Sequence, residues 1–131
     1  MRQEFILLGA TLLLALAHIL IAGNARTKQY GTRWNMGARD EAVPPLDPVP
    51  ARLLRAQANL FETLPLFIGA LLGAAATDHL GWKTVVGAHL FFWARLVYLP
   101  LYWAGVPKLR TAIWAMAILG LLFVIWALLF G

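Results

Sequence analysis

The sequence predicts an all-α integral membrane protein, a four-helix bundle running up-down-up-down as one domain over residues 1–131. Three observations predict it. Apolar residues make up 61% of the chain and charged residues only 13%, against about 45–50% and about 25% in soluble domains. The apolar residues also fall into runs long enough to cross a bilayer. The basic residues stand beside those runs, where they set topology. The net charge of +5 is thereby explained without a nucleic-acid partner. There is no cysteine, which excludes disulfides, thiolate metal sites and a cysteine nucleophile.

The first span covers about 4–25. Phe5 to Gly23 carries no charge, and roughly 19 residues at about 1.5 Å each reach about 28 Å. Gly23-Asn24-Ala25 would suit signal-peptide cleavage, but the apolar run is too long and Glu4 spoils a basic leader. Arg26 to Pro50 is the longest polar stretch and ends in Pro44-Pro45-Leu46-Asp47-Pro48-Val49-Pro50. Proline fixes φ and removes a donor, so a stiff, non-helical connector is expected here. The second span, about 51–76, starts after Pro50. Its first turns, Arg52 to Asn59, are polar and belong at the interface. A short turn at Thr77 to Gly81 leads to the third span, about 82–104. Gly105-Val106-Pro107 breaks it, and the uncharged fourth span covers about 111–130. Trp82, Trp103, Trp114 and Trp126 stand near span ends, as an aromatic belt requires.

Connections one and three carry Arg26, Lys28, Arg33, Arg39, Arg52, Arg55, Lys108 and Arg110, and the opposite side only Arg2 and Lys83. The positive-inside rule places connections one and three in the cytoplasm and both termini outside.

The second span holds the most chemistry. At about 100° per residue, Arg52, Arg55, Asn59 and Glu62 fall within about 80° of arc and form one polar stripe. Gln57 points about 160° away from Arg55, toward another helix or another subunit. Glu62 lies inside the apolar stretch, where an unpaired carboxylate is costly. A basic partner is therefore expected, and Arg55 is the nearest candidate. In the third span Arg95, Tyr98 and Tyr102 share a face, and Pro100 is expected to kink the helix and open a polar pocket. Arg110 follows on the same side as Arg26 and Arg55.

Each feature has a plainer reading. Arg52 and Arg55 could snorkel to lipid head groups. The tyrosines could be interface aromatics, and Glu62 with Arg95 a structural ion pair. His18 and His89 have no partner at ligand spacing and are read as packing residues, so no metal is expected. Pro65 is read as a simple kink. Taken together, however, the arginines suit carboxylates and the glutamate suits an ammonium. The set fits a small zwitterion with excess negative charge. No serine, cysteine or paired histidine supplies a nucleophile, so the ligand must bring its own.

The stretch Arg52-x-x-Arg55-Ala56-Gln57-x-Asn59-x-x-Glu62-x-x-Pro65-Leu66-Phe67 resembles the helix-two signature of the MAPEG family. Ala94-Arg95-Leu96-Val97-Tyr98-x-x-x-Tyr102, followed by Arg110, resembles its helix-three region. These membrane-associated proteins of eicosanoid and glutathione metabolism include microsomal glutathione transferases and leukotriene and prostaglandin synthases. The resemblance implies a homotrimer with glutathione, as co-substrate, bound between subunits near the cytoplasmic face. By the same resemblance Arg55, Asn59 and Glu62 would hold the glutathione peptide, with Arg95, Tyr98 and Tyr102 in the pocket. Gln57 and Arg26 would reach a ligand bound mainly by the adjacent subunit. Arg110 would stabilise the thiolate for attack on a lipophilic electrophile or hydroperoxide arriving from the bilayer.

Two departures matter. Thr63 stands where the leukotriene synthase branch has tyrosine, and Tyr102 to Arg110 is one residue longer than in that branch. A broad transferase or peroxidase is therefore expected over a specialised eicosanoid synthase. The competing readings are a small multidrug transporter, whose carboxylate would sit in the core of the first span, and a non-catalytic member keeping the scaffold alone.

Overall fold

The computed structural model describes residues 2–131. It contains helices α1 (Gln3–Tyr30), α2 (Thr32–Met36), α3 (Pro48–Ala76), α4 (Trp82–Ala104) and α5 (Pro107–Phe130). Of these, α1, α3, α4 and α5 are long and apolar enough to cross a membrane.

The helices extend past the boundaries expected from the sequence, and each extension has a cause. Helix α1 continues through Arg26 to Tyr30. Lys28 lies in its last turn, where a cation meets the negative end of the helix dipole. The connector is not wholly irregular, because α2 forms within it. Helix α3 begins at Pro48 rather than Ala51. The first N–H groups of a helix have no intrahelical partner, so Pro48 and Pro50 give up nothing there. Helix α5 likewise begins at Pro107, which puts Arg110 on its first turn. The break before it is real. Gly105 takes the left-handed conformation (φ 76°), and the Gly105 and Val106 N–H groups cap the carbonyls of Tyr102 and Leu101, as expected of a glycine ending a helix.

Helices α3 and α4 pack on each other and on both α1 and α5, whereas α1 and α5 do not meet. The two central helices are also the least apolar of the four spans. Polar side chains are costly against lipid, so the helices carrying most of them occupy the middle of the bundle. The core away from the basic end is filled by Leu7, Leu60, Phe67, Leu71, Phe91, Leu121 and Val124. Phe67 and Phe91 stack across the α3–α4 contact at 4.3 Å. Nearer the basic end, Leu14, Ala22, Leu53, Ala56, Tyr98 and Leu99 form a second cluster.

Helices α4 and α5 approach most closely at Gly87 and Gly120. A Cβ on Gly87 would lie 2.6 Å from the Gly120 carbonyl oxygen, and one on Gly120 the same distance from the Gly87 carbonyl. Only glycine on both helices allows that approach. At the same end Thr84 donates to Glu4 at 2.8 Å and Arg2 pairs with Glu4 at 3.3 Å. His79 bonds the Leu128 carbonyl at 3.0 Å, and Lys83 donates to the Gly131 carbonyl. These contacts gather the start of α1, the α3–α4 turn and the end of α5.

Candidate functional site

The opposite end is organised by arginines and tyrosines. On α4, Arg95, Tyr98 and Tyr102 recur at one-turn spacing, and α3 presents Arg52, Arg55 and Asn59 beside them. Arg95 is 1% exposed. One terminal nitrogen donates to Asn59 Oδ1 at 2.9 Å, and its guanidinium lies 4.5 Å from the centre of the Tyr98 ring. Tyr98 is fully buried, and its hydroxyl accepts from Arg110 at 3.2 Å. Arg110 also stacks on Tyr102 at 4.7 Å, and Arg55 Nε donates to the Tyr102 hydroxyl at 3.2 Å. The two tyrosine rings meet edge to face at 5.5 Å. Three arginines from three helices thus converge on two phenols. Each phenol accepts from one guanidinium and stacks with another, an arrangement in which cation–π attraction helps hold like charges together.

Such a cluster concentrates positive charge without an acid among its bonded members. The cation expected to neutralise Glu62 is not there. Arg55 is turned to Tyr102, and Glu62 is exposed on the outer face of α3. Among the described residues the only ion pair is Arg2 with Glu4. The expectation of an Arg55–Glu62 pair is therefore corrected. A phenol on the inner side competes for Arg55, while Glu62 sits two turns along and points outward. The Glu62–Arg95 ion pair fails for the same reason, since Arg95 faces inward to Asn59. Arg52 does not simply snorkel to lipid, because its Nε donates to the Trp103 carbonyl at 3.0 Å.

Two candidates stand apart from this network. Gln57 is half-buried on α3 and takes no part in it. Arg26 lies 5.5 Å over the Trp34 ring, with Arg39 4.7 Å from the same ring and Tyr30 against its edge at 4.8 Å. The connector is tied over this aromatic group. The Tyr30 hydroxyl donates to the Pro44 carbonyl at 2.6 Å, and Gln29 bonds both the Pro45 carbonyl and the Asp47 N–H. Trp34, which the sequence did not single out, is thus the centre of the α1–α3 connection. Its signal was the one-turn spacing from Tyr30 and the two flanking arginines.

His89 is held by Gln3 at 3.1 Å and accepts from the Trp93 indole at 3.2 Å, so it serves the far end. Pro65 and Pro100 both lie within continuous helices. A groove of about 520 Å³ is lined by Ile21, Lys28, Asp47, Leu53 and Trp103 among others. It opens between α1 and the start of α3, beside the arginine–tyrosine network rather than on it.

The signature residues of the second and third spans thus gather in one basic, aromatic cluster. No curated protein and no solved structure matches the chain. Residues 5–130, nearly the whole chain, match the sequence model of the MAPEG family, and the chain belongs to that family.

Proposed function

We propose that the protein is a membrane-bound glutathione-dependent transferase or peroxidase acting as a homotrimer. The observation that carries this reading is the convergence of Asn59, Tyr102, Arg55 and Arg110 on the buried pair Arg95 and Tyr98. A site with three guanidiniums and no carboxylate in its own network suits a ligand with surplus negative charge. Glutathione has that balance, and its thiol brings the nucleophile the chain lacks.

The exposed Glu62 supports the oligomer. A carboxylate on a lipid-facing surface within a span is expensive, and a neighbouring subunit would cover it. Gly69 lies two turns further on, with nothing within 4 Å of where a Cβ would stand, so another helix can come close there. In that assembly Glu62 meets the ligand's ammonium group. Arg26 and Gln57, outside the network of their own chain, serve the site of the adjacent subunit.

Chemically, a guanidinium beside the sulfur favours thiolate over thiol, and the proton leaves to water. Lowering a thiol pKa by about two units takes about 2.7 kcal/mol, within reach of one partly desolvated arginine. In this reading Arg110 takes that role, supported by its bond to Tyr98 and its stacking on Tyr102. The thiolate then displaces a leaving group from a lipophilic carbon electrophile. With a hydroperoxide it attacks the terminal oxygen, releasing an alkoxide, which takes a proton from water, and a sulfenic acid, which a second glutathione thiol converts to disulfide and water.

The test is calorimetry with glutathione on the protein in nanodiscs, followed by turnover of a halonitrobenzene and of a lipid hydroperoxide. Binding with turnover supports the enzyme. Binding without turnover of either substrate supports the non-catalytic scaffold, and absence of binding removes the reading.

A further inference from the structure

His18 lies deep in the bundle at 1% exposure, and neither ring nitrogen has a hydrogen-bond partner among the described residues. Burying an imidazole without partners costs free energy that an apolar side chain of similar size would avoid. Its position is fixed by its neighbours. Leu14, His18 and Ala22 recur at one-turn spacing on α1, so they share a face. Leu14 and Ala22 pack with Leu53, Ala56, Tyr98 and Leu99, so His18 faces the same α3–α4 seam. Arg95 lies in the same seam, its guanidinium 4.5 Å from the centre of the Tyr98 ring.

Arg95 has the complementary deficiency. One of its terminal nitrogens reaches Asn59, but Nε and the other terminal nitrogen are buried and unpartnered among the described residues. A guanidinium only donates, and a neutral imidazole offers one acceptor nitrogen. The imidazole and the guanidinium make no direct hydrogen bond, so the two deficits match each other across one bridging water.

We propose that His18 is a positioning residue: its neutral imidazole engages Arg95 through an acceptor nitrogen and a bridging water, and thereby fixes Asn59 and Tyr98 at the ligand site. The inference rests on the glutathione reading only for its effect on binding. It extends one polar chain through all four spans, from His18 on α1 to Arg95 and Tyr98 on α4, then to Asn59 on α3 and Arg110 on α5. Because Arg95 has no acid in that chain, the imidazole also has to remain uncharged. A second cation in the same seam would push the guanidinium off Asn59.

The test compares His18→Leu and His18→Gln with wild type in nanodiscs. Leucine keeps the volume and removes the acceptor, whereas glutamine keeps an acceptor oxygen. The first readout needs no ligand: the 15N NMR signal of the Arg95 Nε–H, assigned with Arg95→Lys. It is expected to move in His18→Leu and to return toward wild type in His18→Gln. The second readout is kinetic. The KM for glutathione should rise about tenfold in His18→Leu, the loss expected when a hydrogen bond to a charged donor is removed. The KM for the electrophile should hold and thermal stability should not fall, with KM largely rescued in His18→Gln.

A leucine variant with an unchanged Arg95 signal would return His18 to packing. Equal impairment of both variants would also overturn the proposal. If wild type fails to bind glutathione, the functional reading fails, while the Arg95 signal still decides the role of His18.

Discussion

The two ends of the bundle handle buried polarity in opposite ways. At the far end the buried carboxylate of Glu4 is matched inside the chain, by the Thr84 hydroxyl at 2.8 Å and Arg2 at 3.3 Å. There α4 and α5 also close on each other through Gly87 and Gly120. At the basic end Arg95, Arg55 and Arg110 meet phenols and an amide but no acid, and Arg95 and Arg26 keep buried nitrogens without partners among the described residues. The difference separates two jobs. Polar groups satisfied within one chain lock helices together. Cationic groups left short of acceptors are the ones the proposed ligand would complete.

The largest expected effect breaks the closed end. Gly87→Val would drive a branched side chain into the Gly120 carbonyl and the Val124 side chain, 2.6 and 2.7 Å from where a Cβ would stand. The first of these is backbone and cannot rotate away. We expect destabilisation of about 3 kcal/mol or more, seen as loss of the monodisperse species in gel filtration and a collapsed thermal transition. A wild-type melting curve would mean that the α4–α5 crossing can widen at little cost.

Next comes the open end. Arg110→Ala should leave the fold intact and lower turnover at neutral pH about 100-fold, the order seen on removing one donor that stabilises developing negative charge. Activity should partly recover at alkaline pH, where thiolate forms unaided. Arg110→Lys should rescue only partly, because an ammonium lacks the fork of the guanidinium. Ultraviolet thiolate absorbance, titrated against pH in both variants, checks the cause. Superimposable titrations for Arg110→Ala and wild type would take Arg110 out of the mechanism.

A smaller effect sharpens the contrast. Thr84→Val removes the hydroxyl that donates to Glu4 and accepts from the Gly81 N–H at 3.0 Å. A loss of about 1–3 kcal/mol is expected, since a buried carboxylate is left short of a donor. Chemical or thermal denaturation measures it, and glutathione affinity should stay at the wild-type value. An affinity change of more than about threefold would show that the two ends are coupled.

The smallest effect is that of Arg2→Gln. The pair with Glu4 is at 3.3 Å, but the arginine side chain is 54% exposed. Exposed pairs typically contribute about 0.2–1 kcal/mol, so the melting temperature should drop slightly and the drop should vanish at high salt. A larger loss would show that Arg2, rather than Thr84, holds the Glu4 carboxylate.

Length and hydropathy alone determined the four spans, because a bilayer-crossing helix must be apolar over its whole length and any interruption is visible in the chain. The helical break at Gly105 and the family signature on the second and third spans were equally local, each carried by a few residues at fixed spacing. Helix ends were less legible. Proline in a first turn and a basic residue in a last turn are compatible with helix, and α3 and α1 used that latitude.

Pairing was decided only by the tertiary structure. The spacing between Arg55 and Glu62 allowed a salt bridge, yet Tyr102 stands 47 residues from Arg55 in sequence and takes its Nε. Nothing near Glu4 indicated that Thr84, 80 residues away, would meet it. A side chain's partner is set by which helix faces come together, and that depends on packing at glycines, phenylalanines and leucines far from the polar residues themselves. One chain's sequence fixes which groups are polar and on which face. Only the packed bundle fixes which of them find each other and which stay without a partner among the described residues.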